Sequence, residues 1–238
     1  MTMMQPGTHI GTLTEQSLHA GLKQWLAQQG DALEQRVDGY QIDIVRGSTL
    51  IEIQTANFSA LKTKLGRLLE THKVVLVHPI AEKKWIVREN KRGKQLSRRK
   101  SPKNGRLENL FDELLYIPHL VAHPNFSCMA VFTHQEEIWR DDGRGSWTRK
   151  HWSIADRRLL EVTGSYRFRN LKDFQRLIPK ELTAPFTHKQ LAEARGIPVW
   201  QSTRMSYCMR KMGALESVGK QGQSLLLAPC ALPTKNRP

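Results

Sequence analysis

The sequence is poor in cysteine, in long apolar segments and, relative to its basic residues, in acidic residues. Its three cysteines, Cys128, Cys208 and Cys230, are not spaced as the CxxC pairs of a zinc ribbon or as a disulfide framework. No apolar run approaches the roughly 20 residues that a membrane helix needs. The first 16 residues lack the basic start and the apolar middle of a signal peptide. We therefore expect a cytoplasmic protein with no membrane partner.

The charge of the chain is strongly basic and unevenly distributed. Its 238 residues include 37 Lys and Arg against 22 Asp and Glu, which gives a net charge of +15. Residues 1–80 contain seven basic and seven acidic side chains, so residues 81–238 carry the whole excess. Such a basic body favours a polyanion, because binding releases the counterions of the polyanion. The alternative is a generally basic, well-solvated surface.

The first apolar stripe predicts a helix that ends before Gly30. Leu18, Leu22, Trp25 and Leu26 recur at helical spacing. Glu15 lies at the N-terminal end of this stripe, where a carboxylate that only needs water is not expected. A strand near residues 32–37 follows.

Residues 41–45 and 50–54 alternate with a period of two and predict a β-hairpin. Gly47-Ser48 is a two-residue turn signal, and it pairs residues whose numbers add up to 95. Asp43 then faces Glu52, and two opposed carboxylates repel each other. A divalent cation such as Mg²⁺ between them would remove the repulsion, because it prefers hard oxygen ligands. A solvated face that tolerates the repulsion is the alternative.

A helix over about residues 58–71 and a buried strand over residues 74–77 come next. Lys62 and Lys64 flank the apolar stripe of this helix on opposite sides. Lys62 is closer to the helix start, and we therefore expect it to be the lysine nearer to the Glu52 strand.

This order of elements and acidic residues resembles the PD-(D/E)XK (restriction-endonuclease-like) nuclease superfamily over about residues 10–90. The resemblance implies an αβββαβ core with a mixed sheet, of α/β (α+β) class, that hydrolyses phosphodiesters with Mg²⁺ or Mn²⁺. It implies metal binding by Asp43, Glu52, the carbonyl of Ile53, and Glu15 on the first helix.

The resemblance also implies roles for the residues around the metal. Gln54 stands where the superfamily motif has a lysine, and it would orient the attacking water or ligate the metal through its carbonyl oxygen. Lys62, or in its place Lys64, would supply positive charge near the scissile phosphate. The implied catalytic residues are thus Glu15, Asp43, Glu52, Gln54 and Lys62.

The middle of the chain contains a basic run and two tryptophans. Residues 91–106 hold eight basic and no acidic side chains, and we interpret them as an arm that contacts phosphates through Arg98, Arg99, Lys100 and Lys103. A flexible solvated loop is the alternative. Trp147 and Trp152 are expected in the core of a small domain, with base stacking as the other interpretation.

The C-terminal pattern resembles a winged helix-turn-helix. A helix over residues 171–178, a helix over 188–195 capped by Thr187, a helix over about 200–212 and a hairpin within 213–227 follow one another. The resemblance implies that the third helix enters the major groove. The DNA contacts would be Gln201, Ser202, Arg204, Tyr207, Arg210 and Lys211, with Lys220 in the wing. A protein-interaction module of the same shape is the alternative.

We therefore expect three segments: a nuclease core over 8–90, a basic arm and middle α/β region over 91–170, and a winged helix over 171–230. The expected function is a Mg²⁺-dependent endonuclease acting on DNA, most simply double-stranded. One active site cuts one strand, so double-strand cleavage needs a homodimer or two visits. The alternatives are a catalytically inactive DNA-binding regulator, or a subunit that cuts only within a larger defence, repair or transposition assembly.

Overall fold

The protein, described here by a computed structural model over residues 16–231, is a mixed α/β protein with two compact units. The described part of the small unit comprises residues 16–26, 81–104 and 133–162, and that of the large unit comprises residues 27–80, 105–132 and 163–231. These units differ from the three consecutive segments expected from the sequence, because three long strands pass from one unit into the other.

The elements of the N-terminal third follow the predicted order. They are α1 (Gln16–Leu26), β1 (Ala32–Val37), β2 (Tyr40–Arg46), β3 (Thr49–Ile53), α2 (Lys62–Thr71) and β4 (Lys73–Glu89). A 3₁₀ helix over Phe58–Leu61 leads directly into α2.

The remaining chain contains five further strands and five further helices among the described residues. They are β5 (Gln95–Lys100), α3 (Phe111–Leu114), α4 (Pro118–Val121), β6 (Phe126–Arg140), β7 (Ser153–Phe168), α5 (Leu171–Gln175), α6 (His188–Arg195), α7 (Val199–Lys211), β8 (Leu215–Gln221) and β9 (Ser224–Pro229). Thr187 caps α6 as predicted, through a reciprocal capping box with Gln190. None of the helices within residues 16–231 is long and apolar enough to cross a membrane.

The predicted mixed sheet is confirmed, with the strand order β1-β2-β3-β4-β6-β7. β1, β2 and β3 pair antiparallel, whereas β3 and β4 pair parallel. The end of β4 pairs antiparallel with β5 instead, from Trp85 opposite Lys100 to Glu89 opposite Gln95. Residues 95–100 of the basic run therefore form an edge strand, whereas the residues on both sides of it lie in turns and irregular segments.

The large unit has one continuous apolar core, which includes both the sheet and the C-terminal helices. Leu65 and Leu68 of α2, Phe111 of α3, and Met205 and Met209 of α7 all belong to it. The spacing of apolar residues along this segment predicts an inner stripe of Met205, Cys208, Met209 and Met212, and all four are buried in this core. The C-terminal helices thus share their core with the sheet instead of forming a separate one.

In the small unit, α1 packs closely on β7. A Cβ atom placed on Gly21 would lie 3.0 Å from the Cβ of Leu159, so glycine allows this close approach. The hydroxyl of Ser17 donates to Asp156 Oδ2 at 2.6 Å. Trp25, which the helical spacing assigned to the apolar stripe, is exposed instead.

The expected burial of Trp147 in a small core is wrong. Its side chain is 82 % exposed, on a short 3₁₀ helix over Trp147–Arg149 between β6 and β7. Trp152 is partly buried, and the guanidinium of Arg88 lies 5.1 Å from the centre of its ring. Trp152 is thus partly packed within the small unit, whereas Trp147 projects into solvent.

Candidate active site and nucleic-acid surfaces

The predicted hairpin and its register are confirmed. Ile44 pairs with Ile51, Val45 with Leu50 and Arg46 with Thr49, so the paired numbers add up to 95. Gly47 has a φ of 55°, the left-handed conformation that a two-residue turn of this kind requires. Continued by one rung, this register sets Asp43 beside Glu52.

The Asp43 carboxylate accepts a hydrogen bond from the β3 backbone at the point where β2 and β3 stop pairing with each other. The last rung of the β2–β3 ladder is Ile44–Ile51, and two residues later the N–H of Ile53 donates to Asp43 Oδ2 at 2.8 Å. The N–H and C=O of one strand residue point to the same side. The Ile53 carbonyl is therefore directed to the side on which the Asp43 carboxylate lies.

Glu52 on β3 is buried, as is Asp43 on β2, and Glu52 contacts a lysine. The two carboxylate residues are 8 % and 9 % exposed, respectively. The Lys64 Nζ forms an ion pair with Glu52 Oε1 and also donates to the Gln41 carbonyl at 2.6 Å. A positive charge thus lies against the buried carboxylate pair.

The expectation that Lys62 lies nearer to Glu52 than Lys64 does is wrong. Lys62 is exposed in the first turn of α2, whereas Lys64 is half-buried and reaches Glu52. The reason is the rotation of α2 about its axis. Leu61, Lys64 and Leu68 are spaced three and four residues apart and therefore share the face that packs on the sheet.

Gln54 follows the end of β3, and its side chain is turned towards the next loop. Its N–H donates to the Val77 carbonyl at 2.9 Å, and its side-chain amide donates to the Ala56 carbonyl. The role of Gln54 in orienting water therefore stays a prediction, which would require this amide to exchange its partner.

His78 is a buried residue of this region that sequence reasoning missed. Its Nδ1 lies 2.8 Å from the Gln54 carbonyl, and its ring meets Phe58 edge-on with centroids 5.2 Å apart. Burial lowers the pKa of His78 below its ordinary value, so the ring is neutral at pH 7. The signal available in the sequence was a histidine directly after the apolar run 74–77.

The donor set of this site fits a hard divalent cation. Asp43, Glu52 and the Ile53 carbonyl offer only oxygen ligands, the type that Mg²⁺ and Mn²⁺ prefer. Within residues 16–231, no group of three or more His, Cys, Asp or Glu side chains is placed to hold a metal ion. A third ligand would thus be the backbone carbonyl. Glu15, the expected helix ligand, lies outside the described residues.

The expected phosphate-contacting residues of the basic run lie on or directly after β5. All six residues of β5 are exposed, as is Lys103 beyond it. Arg98 is already engaged, because its Nε donates to Glu136 at 2.7 Å and its guanidinium lies 5.0 Å from the Trp85 ring centre. Arg99 and Lys100 share the strand edge with it.

Some of the expected DNA contacts on α7 are buried and others are exposed. Gln201 and Ser202 are buried, and the hydroxyl of Ser202 donates to the His188 carbonyl at 2.8 Å. Their assignment to a DNA-facing surface is therefore wrong, because both side chains are buried and Ser202 is bonded to α6. Arg210 is partly buried, and Lys220 is exposed near the tip of the β8–β9 hairpin.

The exposed side of α7 carries alternating aromatic and basic side chains, which we call the α7 stripe. Its members are Trp200, Arg204, Tyr207 and Lys211, with Trp200 53 % and Tyr207 41 % exposed. Arg204 lies 5.0 Å from the Trp200 ring centre, and Lys211 Nζ lies 5.9 Å from that of Tyr207. Arg204 is also held by Asp112 of α3 at 2.6 Å.

Comparison with known proteins places the chain in a family. It is 31 % identical over 219 residues to a protein of Treponema pallidum (strain Nichols) named "Uncharacterized protein", covering 91 % of this chain and 86 % of that relative. No solved structure matches the chain significantly. A family model described as a domain of unknown function, DUF8091, matches residues 16–169. Since this match spans more than half of the sequence, the chain belongs to the DUF8091 family.

Proposed function

We propose that the protein is a metal-dependent endonuclease that hydrolyses DNA phosphodiester bonds, built on a PD-(D/E)XK-like core. The observation that carries the proposal is the buried pair Asp43 and Glu52 on adjoining strands, with Lys64 on Glu52. Two buried carboxylates side by side are costly unless a cation or hydrogen-bond donors compensate them. The Ile53 N–H and Lys64 compensate part of this cost, and a divalent cation held by both carboxylates would compensate it further.

In this proposal each residue of the site has its own role. Asp43, Glu52 and the Ile53 carbonyl would hold Mg²⁺, which would lower the pKa of a bound water and offset the charge of the scissile phosphate. Lys64 keeps Glu52 oriented and places a fixed positive charge next to the phosphate that is attacked. His78 holds the Gln54 carbonyl and thereby the end of β3.

The charge distribution supports DNA as the substrate. Residues 81–238 carry all of the net charge of +15, and the exposed residues of β5 present part of it along one strand edge. We further propose that α5, α6, α7 and the β8–β9 hairpin act as a winged helix, with Arg204, Tyr207 and Lys211 towards the DNA. The parallel β3–β4 pair beside the β2–β3 hairpin supports the nuclease-like core.

A plasmid assay tests the proposed activity. The purified full chain should nick supercoiled plasmid in Mg²⁺ or Mn²⁺ and should not do so in EDTA. Glu52→Gln and Asp43→Asn should each lower the nicking rate at least a hundredfold, whereas Glu70→Gln, at an exposed position of α2, should not change it. Full activity of Glu52→Gln would refute the proposed site. A wild-type chain that binds DNA but never cuts it would support an inactive DNA-binding regulator instead.

A further inference from the structure

A second binding feature lies in the small unit, in the loop over residues 145–152 between β6 and β7. We call it the Trp147 loop. Backbone hydrogen bonds close it, from the Gly145 N–H to the His151 carbonyl at 2.8 Å and from the His151 N–H to the Ser146 carbonyl at 3.1 Å. The loop is thus an ordered structure, and Trp147 projects from it into solvent.

The backbone of this loop adopts conformations that are unfavourable in themselves. Lys150 and His151 have φ angles of 50° and 64°, in the left-handed region that ordinary residues avoid. A Cβ atom placed on Gly145 would lie 1.8 Å from the Trp152 carbonyl oxygen, so only glycine fits there. Backbone conformations of this kind are concentrated at functional sites, which makes the Trp147 loop a candidate binding feature.

The base of the Trp147 loop rests on an aromatic and basic layer. The Arg88 guanidinium lies 5.1 Å from the Trp152 ring centre and 6.0 Å from that of Trp139. Asp142 accepts from the Arg144 N–H and from the Ser153 hydroxyl, which fastens the neighbouring turn to the start of β7. These contacts attach both ends of the Trp147 loop to the rest of the small unit.

The charge of the residues in the Trp147 loop and in the rest of its unit indicates which kind of ligand the loop binds. Residues 144–152 contain Arg144, Arg149 and Lys150 and no acidic residue. In the same unit, residues 81–104 contain ten basic and two acidic side chains. An exposed indole on a loop with basic and no acidic side chains matches a ligand with both flat rings and phosphates, which is a nucleic acid.

We propose that Trp147 is a stacking platform for an unpaired base, so that the small unit binds single-stranded or locally unpaired DNA. In a duplex the bases already stack on each other, and an indole can reach one only after the stack opens. Base stacking tolerates any sequence, because every base has a flat face. This inference rests on the proposed function only because it takes DNA as the ligand. It adds that the bound DNA is single-stranded or locally unpaired.

Binding in EDTA tests the inference without any cleavage. The fluorescence anisotropy of labelled dT20 and of a labelled 20-base-pair duplex is followed with the full chain and its variants. Trp147→Ala should weaken binding to dT20 roughly tenfold, which corresponds to about 1.4 kcal/mol, and binding to the duplex less than about twofold. Trp147→Phe should retain most of the dT20 affinity, because a phenyl ring still stacks.

Two further variants distinguish an effect of the Trp147 loop from a general effect on DNA binding. Trp25→Ala removes another exposed tryptophan of the small unit and should leave dT20 affinity unchanged. Gly145→Ala keeps Trp147 but forces the loop to rearrange, and it should reproduce the loss seen with Trp147→Ala.

Three results would overturn the inference: no binding of dT20 by the wild-type chain, equal dT20 affinity of Trp147→Ala and wild type, or an equal loss on both DNAs. Thermal unfolding of each variant establishes that it is folded. A wild-type chain that binds dT20 through Trp147 but fails to nick plasmid would leave this inference intact and refute the nuclease.

Discussion

Lys64 and Glu52 form an ion pair across the gap between α2 and β3, and the same Lys64 ammonium donates to the Gln41 carbonyl on β2. One side chain of the helix thereby ties together the two strands that carry Asp43 and Glu52. Its removal would leave Glu52 buried without this compensating charge.

Lys64→Ala should therefore affect both stability and cleavage, unlike Lys62→Ala. Loss of the charged hydrogen bonds of Lys64 should lower the free energy of unfolding by about 2 kcal/mol. Lys62 is exposed, and its replacement should change that free energy by less than about 0.5 kcal/mol. Urea unfolding and plasmid nicking of the two variants measure this. Equal behaviour of both would contradict the assignment of Lys64 to the site.

His78 should make stability depend on pH. Burial lowers its pKa below the ordinary value of 6.5, so the unfolded chain takes up a proton before the folded chain does. The contribution to stability is fully present above pH 6.5 and is lost as the pH falls towards the lowered pKa. Urea unfolding at pH 7.5 and 5.5 should show a larger loss for wild type than for His78→Gln. Parallel losses would show that His78 titrates normally.

The β5 residues should contribute to DNA affinity through phosphates alone. Replacing Arg98, Arg99, Lys100 and Lys103 together by Gln should weaken binding to all sequences. It should also reduce the slope of log affinity against log salt by about one unit for each phosphate that the variant no longer neutralises. A salt titration on one duplex of fixed sequence and one random duplex measures the slope, with Lys62→Gln as control. An unchanged slope would mean that β5 is only a solvated edge.

The α7 residues should separate into DNA-binding and packing roles. Arg204→Ala should relax the preference for one duplex over another, because a base-contacting arginine supplies roughly 1–3 kcal/mol of discrimination. Ser202→Ala should instead lower stability by about 1 kcal/mol, since it removes a buried hydrogen bond to His188. Competition binding and thermal unfolding distinguish the two. If Arg204→Ala alters binding to neither duplex, α7 serves protein contacts.

The local features of the fold could be predicted from the amino-acid sequence. The β2–β3 register follows from the period-two pattern and the Gly47-Ser48 turn, both of which are encoded within fifteen residues. The cap at Thr187 and the apolar stripe of α7 follow in the same way from neighbours along the chain. Their determinants are close in sequence, so residue spacing is enough to predict them.

Which side chains reach the site and the surface depends instead on packing in three dimensions. The choice between Lys62 and Lys64 depends on how α2 is rotated against the sheet, and one residue turns a helix face by about 100°. Gln201 and Ser202 are buried, the latter by its bond to α6, and His78 enters the site because β4 lies parallel to β3. The exposure of Trp147 depends on a loop that bonds to itself. Each of these outcomes depends on contacts between segments distant in sequence, or on hydrogen bonds that close a loop. The spacing of residue types along the chain does not encode such contacts.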